Sequence, residues 1–303
     1  MKRVLICGSN GLLGQRLALK LGYETEYEVL NTSHHRQFVL DRHLFDYTQL
    51  DITNKGDVKS LVSSFRPDII VNAAAMTNVD ACETQRELAW KVNVVGVENL
   101  VEIARRINSL LIHISTDYVF DGKNGPYKET DRVNPINYYG KTKQAGENVI
   151  LAAGIPAAIL RTIVVYGTGI NIKNNFALWV INSLREGKNI RCVDDQIANP
   201  THVGDLASGV VKVIERDRPG LYHIGGANAV SRNEFAVKAA EIFGLNPALI
   251  QKVKSVELNQ IAQRPLVTSL VTAKAEKELD FRPMTLAEGL ELMKRELVHL
   301  TLN

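Results

Sequence analysis

The sequence predicts an α/β protein of the Rossmann type: a doubly wound parallel sheet with a smaller C-terminal α/β part. Three observations carry this. Apolar runs alternate with helical patterns through the first 165 residues, which implies a parallel sheet with helices on both faces. The runs at 4–7 and 68–74 are short and largely continuous, as strands covered on both faces should be. The first run leads straight into Gly8-Ser9-Asn10-Gly11-Leu12-Leu13-Gly14, a glycine turn that opens a helix.

In chain order, residues 4–7 read as the first strand and 12–21 as the helix after it. Residues 28–32 and 45–52 read as strands. Residues 55–65 read as a helix with Asn54 at its N-cap, where a side-chain oxygen takes a free backbone N–H. DIIVNAA (68–74) is another buried strand, and 83–107 is one long helical pattern. Strands over 110–115 and 157–165 flank a helix over 137–153. Beyond about residue 167 the rhythm loosens. Helices are expected over 176–187, 205–215, 231–243 and 285–296, the last two capped by Ser231 and Thr285, with loops between. No Gly/Ser linker, internal repeat or low-complexity stretch interrupts the chain. The division is therefore a first domain over 1–166 and a part over 167–303 that packs on it or interleaves with it.

Bulk properties exclude whole classes of function. The chain has 303 residues, enough for one large domain or two modest ones. A net charge of +3 is too small to argue for nucleic acid or a membrane surface. No apolar run approaches the ~20 residues that span a bilayer. The start, MKRVLICGSNG, turns to glycine and asparagine too soon for a signal peptide. Cys7, Cys82 and Cys192 are odd in number, far apart and without metal spacing. They read as buried thiols in a reducing compartment, so a cytoplasmic location is expected.

Gly8, Gly11 and Gly14 stand at the first, fourth and seventh positions of the turn. Glycine permits close approach of backbone to a pyrophosphate, and the helix N-terminus offers free N–H groups with partial positive charge. Within a first βαβ unit this points to nucleotide binding. An acid at the end of the second strand would bind a ribose 2′-hydroxyl and mark NAD. Here the residues are Asn31-Thr32-Ser33-His34-His35-Arg36. Ser33, His34 and Arg36 either receive a 2′-phosphate or form a solvated basic loop. NADP(H) is favoured and NAD(H) stays open. Asp51 and Ile52 could flank the adenine, and Asp51 could equally cap the helix that begins near Asn54.

Tyr139 and Lys143 lie four apart on a helix and so share a face. A phenol starts near pKa ~10. A neighbouring ammonium favours the phenolate, and an adjacent nicotinium ring favours it further. Taken alone, the pair reads as an exposed tyrosine and lysine on a helix surface. Combined with the glycine turn, a strand ending in Ser115-Thr116 and Asn93 on the long helix, it reads as a site. The Thr116 hydroxyl could reach the same substrate oxygen.

With these residues in view, the chain resembles the extended short-chain dehydrogenase/reductases, and more narrowly the dTDP-4-dehydrorhamnose reductase family. The matching pieces are GSNGLLGQ (8–15), LDIT (50–53), VNAAAMTNVDACE (71–83), VNVVGVENL (92–100), STDYVFDG (115–122), PINYYGKTKQAGE (135–147), LRTIVVYG (160–167), NF (175–176), VDDQIANPTHVGDLA (193–207) and RP (264–265). The glycine turn and the Tyr-x-x-x-Lys pair define only the superfamily. STDYVFDG with VDDQ…PT…DLA is far more specific.

The resemblance implies NAD(P)H-dependent reduction of the C4 ketone of a nucleotide-linked 6-deoxysugar, within dTDP-rhamnose and cell-surface polysaccharide biosynthesis. It implies Tyr139 as the general acid at the C4 oxygen, with Thr116 hydrogen-bonding that oxygen. Lys143 would hold the nicotinamide ribose and lower the phenol pKa. Gly8, Asn10, Gly11, Leu12, Leu13 and Gly14 would hold the pyrophosphate. Ala73, Ala74 and Ala75 would lie along the cofactor, with Asn93 supporting the neighbouring helix. Asp117 and Val164 would line the sugar pocket. Asn175 and Arg264 would meet the nucleotide diphosphate, Arg264 being equally suited to a structural ion pair.

The same motif separates relatives. Related sugar-nucleotide dehydratases carry glutamate after the aspartate to remove the C5 proton, and Tyr118 stands in that slot here. Epimerases typically have small hydroxyl residues where this chain has Asp117. Reductases often have tryptophan before VYG. This chain has Ile163, Val164 and Val165, so another nucleotide-sugar ketone stays open as substrate. Some members share a divalent ion through glutamates at a dimer interface. Those glutamates have no placed counterpart here, so no metal is expected, and a homodimer stays open. The regulatory subunit of methionine adenosyltransferase is also similar to this family. It keeps the nucleotide-binding fold and acts by binding a partner enzyme, which gives an alternative, non-catalytic reading.

Overall fold

The computed structural model describes residues 1–172 and 175–301. In chain order the strands are β1 Arg3–Cys7, β2 Glu28–Ser33, β3 Tyr47–Gln49, β4 Ile69–Asn72, β5 Leu110–Thr116, β6 Ala157–Thr162, β7 Ile190–Val193, β8 Ile197–Ala198, β9 Gly220–Ile224, β10 Val230–Ser231 and β11 Ile250–Val253. The helices are α1 Leu12–Glu24, α2 Lys55–Phe65, α3 Val79–Thr84, α4 Arg86–Trp90, α5 Gly96–Ile107, α6 Tyr138–Ala153, α7 Phe176–Arg185, α8 Val203–Arg216, α9 Arg232–Phe243, α10 Ala273–Leu279 and α11 Leu286–Thr301. The main sheet has the order β3-β2-β1-β4-β5-β6-β9, every neighbouring pair parallel. The order reverses between β1 and β4, which opens a crevice at the carboxyl ends of those strands.

Successive strand residues face opposite sides. Val4 and Ile6 join Val71, Ile112 and Leu160 under Leu13, Leu17 and Leu21 of α1 and Leu206 and Val210 of α8. Leu5 and Cys7 face the other way with Ile70, Leu111 and Ile159, under Val58 and Val62 of α2, Leu100 of α5 and Ile150 of α6. This double cover explains the continuous apolar runs. A third core joins Ile181 of α7, Phe235 of α9 and Leu290 of α11 to Tyr166 and Ile190. The chain beyond residue 166 also completes the main sheet through α8 and β9, while β7 with β11 and β8 with β10 form two small sheets.

Several elements differ from the sequence expectation. The helix expected over 83–107 is divided into α3, α4, a π-helical turn at Lys91–Val95 and α5. Such turns are frequent at functional sites, and this one presents Asn93. The strand expected to reach 165 stops at Thr162. The Ile163 carbonyl accepts the Thr201 N–H at 3.1 Å and its hydroxyl at 2.9 Å, and Val164 turns at φ 43°. The strand expected over 45–52 shrinks to Tyr47–Gln49, although Leu50 and Ile52 stay buried. The five strands beyond residue 166 are two to five residues long, too short to show a period.

Candidate active site

A cavity of about 520 Å³ opens at the crevice, lined by Gly8, Asn10, Gly11, Ser33, His34, His35, residues 50–53 and residues 73–76. Gly8 sits at φ 86°. A Cβ on Gly8 would stand 2.7 Å from the Ala74 nitrogen, and one on Gly14 would stand 2.3 Å from the Gly8 carbonyl oxygen. Turn, helix and the 73–76 strap therefore meet through backbone alone. Gly11 supplies no side-chain cap to α1, so the first N–H groups of that helix remain available to an anion. The volume, the two positions closed to a Cβ and the uncapped helix fit a pyrophosphate-bridged nucleotide.

Leu12 and Leu13 form the opening turn of α1, with Leu13 packed into the core. The Asn10 amide donates to the Ser33 hydroxyl at 3.1 Å and the Gln37 carbonyl at 2.8 Å. Arg36 is exposed on the loop beside the cavity. Asp51 and Ile52 lie on the cavity wall. The Asp51 carboxylate accepts the Thr53 N–H at 2.9 Å, and Asn54 caps α2.

Two asparagines hold the strap. Asn72 Oδ1 accepts the Ala74 N–H at 3.2 Å. Asn93, on the π turn, accepts the Met76 N–H at 2.8 Å and donates to the Met76 carbonyl at 3.1 Å and the Thr142 hydroxyl at 3.0 Å.

Helix α6 is capped by Asn137, whose side chain accepts the Gly140 N–H, and the helix buries Tyr139, Lys143 and Glu147. These lie about one turn apart, on one face. A Cβ on Gly140 would stand 2.1 Å from the Tyr118 carbonyl oxygen, so glycine sets how closely α6 approaches the end of β5. Tyr139 is 9% exposed. Burial raises its phenol above the usual range, against a hydrogen bond with Thr116, and the Asp117 charge adds to the rise. Tyr139 packs in one cluster with Met76 and Tyr118. The Thr116 hydroxyl donates to Asp117 Oδ1 at 3.0 Å. Asp117 Oδ2 is buried without a partner among the described residues. Burial pushes this carboxyl up to about 6, against hydrogen bonds from Thr268 and Thr116.

Lys143 is 1% exposed. Its Nζ donates to the Ile114 carbonyl at 2.7 Å and lies 3.2 Å from His113 Nε2. Burial lowers it to about 8, with the Glu147 carboxylate opposing. The amine is thus held by β5 rather than by the phenol. Glu147 takes both a two-pronged contact from Arg161, at 3.0 and 2.7 Å, and the Ser115 hydroxyl. This buried pair fastens α6 to β5 and β6.

Tyr118 lies edge-on to Tyr139, ring centres 5.8 Å apart, and borders a second cavity of about 1120 Å³. Asn175, Phe176, Trp179, Gln196, Arg191, Arg232 and Arg264 share its wall. Arg264 both lines this cavity and pairs with Asp80 at 3.0 Å. Asn175 caps α7 by accepting the Leu178 N–H at 3.1 Å and donates to the Gly167 carbonyl at 2.8 Å. Val164 packs partly against Val119, Phe120 and Ile163. A β-branched residue in the left-handed region is strained, and such strain clusters at functional sites.

Sequence reasoning missed Arg232. Its guanidinium lies 4.9 Å above the Phe176 ring, and its charge acts on Asp117 and Tyr118. One signal existed: it follows the Ser231 cap, at a helix start where the dipole favours acids. Among the described residues, no group of three or more His, Cys, Asp or Glu side chains could hold a metal ion. Among the described residues, no helix is long and apolar enough to cross a membrane either.

The sheet order, with a crevice at the switch point between β1 and β4, defines a doubly wound fold of the dinucleotide-binding class. Within that class the sequence matches the RmlD substrate binding domain family over residues 1–298, and the chain belongs to this family. It is 37% identical over 295 residues to a dTDP-4-dehydrorhamnose reductase of Aggregatibacter actinomycetemcomitans, covering 93% of this chain and 95% of that one. It is 33% identical over 282 residues to methionine adenosyltransferase 2 subunit beta of Xenopus laevis, covering 91% and 82%. A crystal structure of dTDP-4-dehydrorhamnose reductase from Bacillus anthracis in complex with NADP aligns with a TM-score of 0.86 at 34% identity, covering 98% of this chain and all 100% of that one.

Proposed function

We propose that this protein reduces the C4 ketone of a nucleotide-linked 6-deoxysugar, most narrowly dTDP-4-dehydrorhamnose to dTDP-rhamnose. The observation that carries the reading is the packing of Tyr139 with Met76, a wall of the first cavity, and with Tyr118, a wall of the second. The reductase relatives and the NADP-bound neighbour support it. NADP(H) is the favoured cofactor and NAD(H) the alternative; when bound, it supplies the hydride that reaches C4.

Cofactor binding falls to residues 1–166. Gly8, Asn10, Gly11 and the start of α1 (Leu12, Leu13, Gly14) hold the pyrophosphate. Ala73, Ala74 and Ala75 run along the nucleotide, Asp51 and Ile52 flank the adenine, and Ser33, His34 and Arg36 meet the ribose end. Tyr139, protonated at neutral pH, gives its proton to the ketone oxygen. Thr116 hydrogen-bonds the same oxygen. Lys143 holds the nicotinamide ribose, and Asn93 keeps the strap in place. Asp117 Oδ2 accepts from a sugar hydroxyl. Residues 167–303 supply most of the substrate side, where Arg232, Arg264 and Asn175 meet the diphosphate. Three buried free thiols, Cys7, Cys82 and Cys192, suit a reducing cytoplasm.

Spectrophotometric assay of a dTDP-4-keto-6-deoxysugar with NADPH and with NADH tests this directly. Oxidation of either cofactor is expected, with NADPH preferred; no oxidation of either would overturn it. The likeness to the methionine adenosyltransferase subunit supports a second reading, a dinucleotide-binding regulatory subunit. Capture of that enzyme by the same preparation without any turnover would favour the second reading.

A further inference from the structure

Lys143, His113 and Asn72 form a buried chain whose hydrogen bonds close in only two ways. The Ala74 N–H can only donate, and it reaches Asn72 Oδ1 at 3.2 Å. This fixes the amide, so Asn72 Nδ2 faces His113 Nδ1 at 3.2 Å. An amide NH2 can only donate as well. His113 Nδ1 therefore accepts, and the proton of the neutral ring sits on Nε2. That nitrogen faces Lys143 Nζ at 3.2 Å, while Nζ donates to the Ile114 carbonyl at 2.7 Å. An ammonium has no lone pair to receive the Nε2 hydrogen. The observed arrangement closes with Lys143 as a neutral amine. A proton added to Lys143 from solvent reverses the chain. Nε2 then accepts, Nδ1 carries the hydrogen, and Asn72 turns its oxygen towards His113. Its NH2 group now meets the Ala74 N–H, and that bond is lost.

We propose that His113 is a positioning residue that couples the charge state of Lys143 to the Ala74 strap through Asn72. The strap's role as a cofactor wall rests on the proposed function; the coupling needs only the three side chains. Both arrangements lie within reach near neutrality. Burial holds Lys143 near 8, and burial with the lysine charge keeps His113 neutral, well below its usual value. Glu147 lies one turn further along α6 and is paired with Arg161 of β6, Tyr139 lies one turn back, and His113 comes from β5. Because Ala74 lines the first cavity, a ligand there and a proton on Lys143 act on one shared hydrogen bond.

The test is 15N NMR of histidine in the ligand-free, full-length protein, titrated from about pH 6 to about pH 11 to span the ordinary histidine and lysine values. The His113 signals are assigned by their loss in His113→Gln. The expected result is a neutral ring whose proton moves from Nδ1 at low pH to Nε2 at high pH, with a midpoint near 8. In Lys143→Met the exchange should vanish. A single tautomer across the range in the native protein overturns the proposal, and so does an exchange that persists in Lys143→Met. The native titration decides alone if a variant fails to fold. No cofactor, substrate or turnover enters the measurement, so it stands apart from any failure of the reductase reading.

Discussion

The two cavities are built in opposite ways. The first is backbone against backbone: a glycine turn meets the 73–76 strap, and Asn72 and Asn93 lock that strap in place. The second is made of long side chains from separate segments, with Phe176 from α7, Arg232 from α9 and Arg264 from a distant loop. A wall of backbone admits no added atom, whereas a wall of side chains loses function by degrees. The contrast also concerns partners. The first site offers N–H groups to a pyrophosphate, and the second offers guanidinium groups to a charged substrate.

The largest effect that would sharpen the contrast is expected from Gly14→Val. The new Cβ would meet the Gly8 carbonyl oxygen at 2.3 Å, and neither side can give way. Dinucleotide affinity should fall at least ~100-fold, the order expected from a few kcal/mol of strain. Fluorescence titration with NADPH reads it, and unchanged affinity would break the claim that this wall is closed to side chains.

Asp117 comes next, because it is buried beside Tyr139 with one oxygen unpartnered among the described residues. Its folded value of about 6 lies above the ordinary 3.8. The folded state therefore binds more protons between about pH 4 and pH 6, and stability falls as pH rises through that window. The cost at neutral pH is up to about 3 kcal/mol by the usual conversion. Asp117→Asn should raise the melting temperature at pH 7, with no gain near pH 4, while lowering turnover. Equal shifts at both pH values would show that the aspartate is not strained by charge burial.

A smaller and more selective effect belongs to Arg232→Ala. Loss of one charge-assisted contact should raise KM for the sugar nucleotide ~10- to 100-fold and leave NADPH affinity unchanged. Equal weakening of both ligands would erase the distinction between the two cavities. Smallest of all is Arg36→Ala, because the residue is exposed. NADPH should weaken about threefold relative to NADH, the scale of a solvated ion pair. Identical changes for both cofactors would refute the 2′-phosphate assignment.

The same contrast explains what could be read from the chain. The first strand, the glycine turn and α1 are contiguous, so their chemistry is local and legible. Tyr139 and Lys143 were visible because four residues make one helical turn. Their surroundings were not. His113 lies thirty residues before Lys143 and reaches it only because α6 packs on β5. Asn93 stood out as a residue, yet the π turn that aims it at the strap has no local signature. Arg232 faces Tyr118 and Asp117 through tertiary packing alone. Val164 read as continuing a strand, because nothing nearby announces that Thr201 will take the Ile163 carbonyl.

The sharpest measurement is the turnover of Tyr139→Phe on a dTDP-4-keto-6-deoxysugar, with NADPH binding followed in the same sample. The variant should bind NADPH as the native protein does and turn over at least ~100-fold more slowly, the usual scale for removing a general acid. Turnover near the native rate would contradict the role given to this phenol, and with it the reading of the site as a ketone reductase.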